Sequence, residues 1–253
     1  GIIRYNTSGV PDNTFGINGK VVIDINGLED HARSIALQLD GKILVAGYSD
    51  SDFLILRFNP NGTLDNTFSS DGIITTSIGI NNDIANSIAV QPDGKIVVIG
   101  ESYNDSSNGS NIALVRYNTN GTLDNSFGFG GKVTSDIATW DEGKSVKVLS
   151  NGMILLSASV GVASLSPLND FCLLRYNSDG TLDNTFGSGG KTRTDFNSSD
   201  DHTNSMIVQT NGKIILVGYR YNNINDDFAL AMYNPNGTID TTFNGTGKIT
   251  TDF

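Results

Sequence analysis

A nine-residue phrase recurs along the chain and constrains its architecture more than any other feature. NGTLDNSFG begins at residue 120, near-copies begin at residues 61, 179 and 236, and a looser copy, SGVPDNTFG, begins at residue 8. The shared aspartates of these copies are separated by 53, 59, 59 and 57 residues. Such a period indicates a repeat architecture, in which each repeat is one supersecondary unit. We therefore predict a single repeat domain over residues 1–253.

Each unit contains four short segments, named a to d, with the composition of β-strands. In the first complete unit they are RSIALQL (33–39), KILVAGYS (42–49), FLILRFN (53–59) and GIITTSI (72–78). They are rich in Val, Ile, Leu and Thr and are bounded by Gly, Asp or Asn. Asp-Gly or Asn-Gly joins segments a and b, which predicts a two-residue type I′ hairpin. No segment keeps a helical apolar spacing for three turns, so we predict no helix.

Four antiparallel strands in a unit of this length predict an all-β fold, a β-propeller whose four-stranded sheets, or blades, stack around a central channel. A β-solenoid is the alternative, but its repeats are shorter. Complete blades span 33–78, 85–137, 144–196 and 203–253, and a half-blade holding only strands c and d spans 1–25. The half-blade would leave a free sheet edge, and proteins rarely leave such edges uncovered. A longer parent chain or a second copy could cover it, or the half-blade could serve as a short fifth sheet.

The repeated words SIAxQxDGKIxVxG and FxLxRYNxxGTLDNTFGxxGK identify a resemblance that covers essentially the whole chain. They resemble the delta-60 repeat family of bacterial proteins, whose members are classed as β-propellers of unknown function. The resemblance implies the propeller fold. It implies no activity.

Charge and composition exclude several classes of partner. The formal net charge is −11 and the pI is near 4.4, so nucleic acid and anionic membrane surfaces would be repelled. No apolar run is long enough for a transmembrane helix. The only cysteine, Cys172, is interpreted as a small buried hydrophobe. The sequence begins without Met or a leader, so we expect a removed leader or a longer parent chain, and the acidic, Cys-poor composition fits a secreted or surface bacterial protein.

The repeated phrase lies in the c–d loop and is interpreted as architecture. An arginine stands eight residues before four of the five aspartates, a spacing that can fold the guanidinium onto the carboxylate as a structural clamp. The predicted clamp pairs are Arg4–Asp12, Arg57–Asp65, Arg116–Asp124 and Arg175–Asp183. Met232 replaces the arginine in the last unit, which a clamp tolerates better than a ligand ring. A calcium loop at Asn177, Asp179 and Asp183 is the alternative, but the bidentate Glu of an EF-hand is missing.

The opposite end of the blades carries the b–c and d–a loops, which vary in length and content and are candidates for the binding face. One acidic column is constant there: Asp30, Asp83, Asp141 and Asp201. These carboxylates either accept N–H bonds within their own turns or ring the channel mouth as a cation or polar-ligand site. We predict no cofactor, with calcium as the alternative. Trp140, Tyr103 and Tyr221 are candidates for a glycan site on the same face.

Evidence for catalysis is thin, because His31 and His202 lack a neighbouring nucleophile and no GxSxG or HExxH motif occurs. We therefore lean against an enzyme. The first hypothesis is a non-catalytic secreted or surface module for protein assembly or adhesion, with self-association through the half-blade as one route. The alternative is a glycan-binding or glycan-acting propeller that uses the channel mouth.

Overall fold

The computed structural model describes residues 1–103, 109–162 and 168–252, and strands and turns account for all regular structure in these ranges. The half-blade consists of β1 (Ile2–Ile3) and β2 (Lys20–Val21). Blade 1 contains β3 (Asp30–Leu37), β4 (Ile43–Ser49), β5 (Asp52–Phe58) and β6 (Ile73–Thr76). Blade 2 contains β7 (Asp83–Val90), β8 (Ile96–Tyr103), β9 (Ser110–Tyr117) and β10 (Lys132–Ser135).

The last two blades repeat the same order of strands. Blade 3 contains β11 (Trp140–Val148), β12 (Ile154–Val162), β13 (Leu168–Tyr176) and β14 (Lys191–Thr194). Blade 4 contains β15 (Asp201–Val208), β16 (Ile214–Tyr221), β17 (Asp226–Tyr233) and β18 (Lys248–Thr251). In the part of the chain that the structure describes, no helix is long and apolar enough to cross a membrane.

Each blade is an antiparallel meander, so the prediction of an all-β propeller with four complete blades and a half-blade is confirmed. In blade 1, β3 pairs with β4, β4 with β5, and β5 with β6. The other blades repeat this pairing, and β1 pairs with β2 in the half-blade. A parallel bridge between Trp140 and Ser110 links blades 2 and 3.

The core lies between successive sheets rather than within one sheet. Four apolar clusters join the half-blade to blade 1, blade 1 to blade 2, blade 2 to blade 3, and blade 3 to blade 4. Strands b and c are buried on both faces in the middle blades, which explains their nearly continuous apolar sequence. None of the four clusters, as far as the described residues go, joins blade 4 to the half-blade.

The a–b connections differ from the predicted type I′ hairpins. Gly41 has φ 82° but Asp40 does not have a positive φ, and a type I′ turn requires both. Instead the Gly41 N–H donates to the Gln38 carbonyl and the Gln38 N–H donates to the Lys42 carbonyl. This is the three-residue loop with a glycine bulge, and the Asp40 carboxylate supports it by accepting the Lys42 N–H at 3.1 Å.

Strand a begins earlier than predicted, because a β-bulge lets it continue past an irregular residue. The register shifts between Ala32 and Ser34 in blade 1, so Arg33 is the extra residue, and every blade has a shift at the same place. The aspartate predicted to precede strand a is therefore within it: Asp30, Asp83 and Asp201 are first residues of their strands, and Asp141 is the second residue of β11.

The half-blade leaves part of blade 1 uncovered. Ile35 and Leu37 on β3 are 57% and 72% exposed, whereas Ile88, at the position of Ile35 in blade 2, is 6% exposed. The corresponding residues of blades 3 and 4 are Val146 and Met206, each 3% exposed. The uncovered area of blade 1 lies where strands a and b would pack if the half-blade were a complete blade.

Candidate functional site

The c–d loops hold the four predicted clamp pairs in direct contact. Nε of the arginine donates to Oδ2 of the aspartate at 3.0, 2.7, 2.7 and 2.7 Å in Arg4–Asp12, Arg57–Asp65, Arg116–Asp124 and Arg175–Asp183. Each guanidinium also lies over a phenylalanine ring of its own loop, with Arg57 4.4 Å from the Phe68 centroid. The other aspartate oxygen accepts from the hydroxyl and N–H two residues on, as in Asp65 and Thr67.

The same arginines also join neighbouring blades. Nη1 of Arg57 donates to the Thr119 carbonyl of the next blade at 2.6 Å. Arg175 reaches the Pro235 carbonyl at 3.0 Å in the same way. The c–d loops therefore connect neighbouring blades, and the side-chain polar atoms of the clamp pairs already have hydrogen-bond partners within the protein. The aspartates of the alternative calcium loop also have hydrogen-bond partners within the protein, because Asp179 accepts from Thr181 and Asp183 accepts from Arg175.

A lysine adds a second positive charge to the clamp. Lys95 Nζ lies 2.9 Å from Asp124 Oδ2, Lys42 lies 2.8 Å from Asp65, and Lys213 pairs with Asp240 where Met232 replaces the arginine. Burial opposes ionisation of Asp124, but hydrogen bonds from Ser126 and Lys95 and the Arg116 charge outweigh it. The pKa of Asp124 therefore lies well below its usual value.

The acidic column at the opposite end is held by the d–a turns. Oδ2 of Asp83 accepts the Ile78 N–H at 2.6 Å, and Oδ2 of Asp141 accepts the Ile137 N–H at 2.6 Å. Asp30 and Asp201 accept from the equivalent turn residues, Ile25 and Phe196. Burial raises the pKa of Asp141 to about 6, even though its two N–H bonds lower it. Each aspartate thus has a local structural partner.

The four aspartates of the column do not converge on a common point. Across 1–103, 109–162 and 168–252, the only carboxylates with ligand atoms within 4.8 Å of one another in a group of three are Asp170, Asp195 and Asp201. That group contains one member of the column, and Asp170 is already paired with Arg193. A calcium site in the column stays a prediction.

A polar cluster formed by Glu101, Glu142, Lys144 and Arg33 was not foreseen from the sequence. Glu101 on β8 is 5% exposed and its Oε2 has no hydrogen-bond partner in the described part of the chain. Burial, then the Glu142 charge, raises the pKa of Glu101 to about 7. The positive charges of Lys144 and Arg33 lower the pKa of Glu101 and offset part of this rise. The available signal was a lone Glu in strand b where Tyr48 and Tyr219 stand in blades 1 and 4.

Glu101 makes stability depend on pH in a testable way. The pKa of Glu101 in the folded state lies above the ordinary value of 4.5. The folded state therefore has the full stability of a protonated Glu101 below pH 4.5, and it loses this stability as pH rises through about 7. Gln stays neutral, so we expect Glu101→Gln to raise the free energy of unfolding by about 3 kcal/mol above about pH 8. Near pH 4.5 the gain should vanish.

Urea unfolding of both proteins across this pH range measures the effect. Glu29→Gln is the matched control, because the Glu29 side chain is 95% exposed and its contact with His31 is 3.9 Å long, so its effect on stability should stay small at every pH. An equal gain for Glu101→Gln at acidic and alkaline pH would contradict the raised pKa.

The predicted glycan residues are only partly brought together. The rings of Tyr103 and Trp140 are 6.1 Å apart and meet edge to face at 71°. Tyr221 lies at the end of β16 in blade 4, and no ring contact joins it to either residue within the described ranges. The two histidines are stacked on tyrosines of their own blades, His31 on Tyr48 at 4.5 Å and His202 on Tyr219 at 5.1 Å.

Solved structures share this fold at low sequence identity. A protein of unknown function from Dyadobacter fermentans is 11% identical with a TM-score of 0.54, and the match covers 83% of this chain and 68% of that chain. A GH93 α-L-arabinofuranosidase of Fusarium graminearum, solved with arabinobiose, is 9% identical with a TM-score of 0.53, and the match covers 86% of this chain and 64% of that chain. At such identities the likeness shows the fold alone.

Sequence comparison identifies the family. No curated protein matches the chain. A family model described as a domain of unknown function (DUF5122) beta-propeller matches residues 38–68, 91–127, 149–186 and 209–243. Each matched segment runs from the end of strand a through the c–d loop of one blade. Because these segments make up more than half of the sequence, the chain belongs to the DUF5122 β-propeller family.

Proposed function

We propose that the chain is a non-catalytic secreted or cell-surface module for protein assembly or adhesion, and that it binds a partner by β-strand addition to the half-blade. The observation that carries the proposal is the free edge of β1, which pairs with β2 alone among the described strands. In every complete blade the corresponding strand c pairs on both sides. An added strand would satisfy the backbone groups that the edge leaves free.

An apolar cleft beside this edge favours a β-hairpin as the bound segment. Ile2, Ile25, Val45 and Leu54 line the cleft together with Gly1 and Ala32. Next to it lie the exposed side chains of β3 that an a–b hairpin would cover. A partner hairpin with alternating apolar residues would therefore gain both backbone pairing and apolar burial.

The orientation of β1 defines which atoms the partner would use. The Arg4 N–H donates to the Gly19 carbonyl, and the Arg4 carbonyl accepts the Asp12 N–H. Because successive residues of a strand direct their backbone groups to opposite sides, the N–H and carbonyl of Ile3 are directed away from β2. By the register of blade 1, the residue of the partner that corresponds to Val45 would pair with Ile3.

A synthetic hairpin with the sequence of residues 86–102, NSIAVQPDGKIVVIGES, tests the proposal. We expect saturable binding to the purified chain, and we expect Ile3→Pro to weaken it at least about tenfold because Pro removes the outward N–H. Ile3→Ala is the matched control, because it shortens the side chain and keeps the N–H. Absence of binding, or equal binding by Ile3→Pro and Ile3→Ala, would refute strand addition.

Glycan binding at the channel mouth is the second candidate function, and the edge-to-face contact between Tyr103 and Trp140 favours it. Aromatic faces are the usual platforms for sugar rings. Saturable binding of an oligosaccharide on a glycan array, lost in Trp140→Ala and retained in Tyr221→Ala, would support this function. If Trp140→Ala binds the sugar as tightly as the unchanged chain, glycan binding at this site is refuted.

A further inference from the structure

Neighbouring units make one loop contact four times along the chain. The c–d loop phenylalanine of each unit packs on the c–d loop glycine of the next unit, and these glycines have φ between 85° and 91°. A Cβ built on any of them would lie 2.7 to 3.0 Å from the phenylalanine ring. The pairs are Phe15–Gly62, Phe68–Gly121, Phe127–Gly180 and Phe186–Gly237. All four phenylalanines are fully buried.

The two halves of a fifth such contact lie at opposite ends of the chain. Phe243 of blade 4 contacts no such glycine in the part of the chain that the structure describes, and it is partly exposed, unlike the other four phenylalanines. Gly9 of the half-blade has φ 76°, and a Cβ built on it would meet nothing within 4 Å. One end therefore presents the ring and the other end presents the glycine that would receive it.

A second contact repeats between neighbouring blades, and its donor and acceptor are likewise left without partners of this kind, among the described residues, at the two ends of the stack. The hydroxyls of Tyr117, Tyr176 and Tyr233 donate to Thr76, Ser135 and Thr194 of the preceding blade at 2.7, 2.9 and 2.8 Å. These tyrosines are fully buried. In the half-blade the equivalent Tyr5 is 57% exposed. The equivalent acceptor in blade 4, Thr251, is exposed as well.

A backbone bond follows the same pattern. The N–H after each buried phenylalanine donates to the carbonyl before the next glycine, as in Gly128 to Asp179 and Gly187 to Asn236, both at 2.8 Å. At the ends, the Asn244 N–H and the Ser8 carbonyl occupy these two positions. Neither has a backbone partner in the part of the chain that the structure describes.

The surfaces around these groups are apolar on both ends. On blade 4, Leu230 is only partly buried, although Leu173 at the same position of blade 3 is fully buried. On the half-blade, Ile3 is 47% exposed beside Tyr5. Burial of both surfaces in one contact would remove this apolar area from water.

We propose that a second copy of this chain packs its half-blade on blade 4 of the first copy, head to tail, and so continues the contact between units. The two end surfaces are the two halves of an interface that the chain already makes four times, which is why a second copy is the expected occupant. The contact is heterologous, so it generates an open filament or a ring of several copies. It uses sheet faces rather than the free strand edge, so it does not depend on hairpin binding.

One residue sets the strength of the junction. In each internal contact, an arginine donates to a carbonyl of the next unit, and Met232 occupies that position in blade 4. The junction between copies therefore lacks a bond that the internal contacts have. Met232→Arg would supply it, with the Thr7 carbonyl of the second copy as acceptor.

Analytical ultracentrifugation of the purified chain over about a hundredfold range of concentration tests the proposal. We expect the average mass to rise with concentration. Gly9→Asn should weaken association at least about tenfold, because Asn tolerates a positive φ but its Cβ would collide with Phe243 of the other copy. Met232→Arg should strengthen association by a similar factor.

Gly27→Asn is the matched control, because Gly27 has φ 70° and no atom within 4 Å of a built Cβ, and it lies outside the proposed contact. We expect it to associate like the unchanged chain. Monomers at every concentration in both the unchanged chain and Met232→Arg would overturn the proposal. Association that is equal in Gly9→Asn and Gly27→Asn would overturn it too.

Discussion

Replacement of Asp124 by Ala is expected to lower the free energy of unfolding by about 3 kcal/mol at neutral pH. Asp124 is 5% exposed, and Arg116 and Lys95 lie 2.7 and 2.9 Å from its Oδ2. Its removal leaves the buried Arg116 guanidinium without its carboxylate, which is far more costly than the loss of a surface ion pair. Urea unfolding of the two proteins measures the difference.

The expected effect depends on pH with a defined sign. The pKa of Asp124 is depressed in the folded state, so its contribution is present above the ordinary value of 3.8 and is lost as pH falls below it. Asp12→Ala is the matched control, because the Arg4 and Asp12 side chains are 34% and 26% exposed. A loss below about 1 kcal/mol for Asp124→Ala, equal to that of Asp12→Ala, would contradict a buried clamp.

Gly100→Ala is expected to destabilise the chain by about 3 kcal/mol, because the new methyl group has no space. A Cβ built on Gly100 would lie 1.8 Å from the Ile84 carbonyl oxygen and 2.9 Å from the Ala85 Cα. Both are backbone atoms at the bulge of β7, so they cannot move like the end of a flexible side chain. Thermal or urea unfolding would measure the loss.

The pairing of Gly100 with Ala85 across strands b and a allows a rescue experiment. In three blades a glycine of strand b faces a larger residue of strand a, but in blade 3 the order is reversed and Gly143 faces Ala158. A glycine in strand a lets the backbone adjust around the methyl group. We therefore expect the double variant Ala85→Gly/Gly100→Ala to recover part of the lost stability. A double variant as unstable as the sum of both single changes would refute this compensation.

The sequence was sufficient for the fold because the chain repeats itself. The column of aspartates and the four apolar segments per unit predicted the blades, and the segments GIIRYN and GKVVIDI predicted strands c and d of the half-blade. Local backbone geometry was harder to predict. Asp-Gly is compatible with several loop types, and the bulge at Arg33 has no distinctive residue, so the hairpin type and the start of strand a were wrong.

The clamp and the polar cluster show where spacing is informative. Arg116 and Asp124 are eight residues apart and belong to one loop, so their contact followed from the chain itself. Glu101 instead takes its raised pKa from burial and from Glu142, which belongs to another blade. Distances between blades depend on packing, and a single sequence does not record them.

The chain's stack of sheets, each packed on its sequence neighbours, has a consequence for how it comes apart. In such a quasi-linear array, stability is a sum of unit and interface contributions, and the outermost units fray first. The half-blade, with two residues in each strand, should exchange its amide hydrogens fastest. Protection should be greatest at Val98 and Leu114, which lie in the middle of the array and are fully buried.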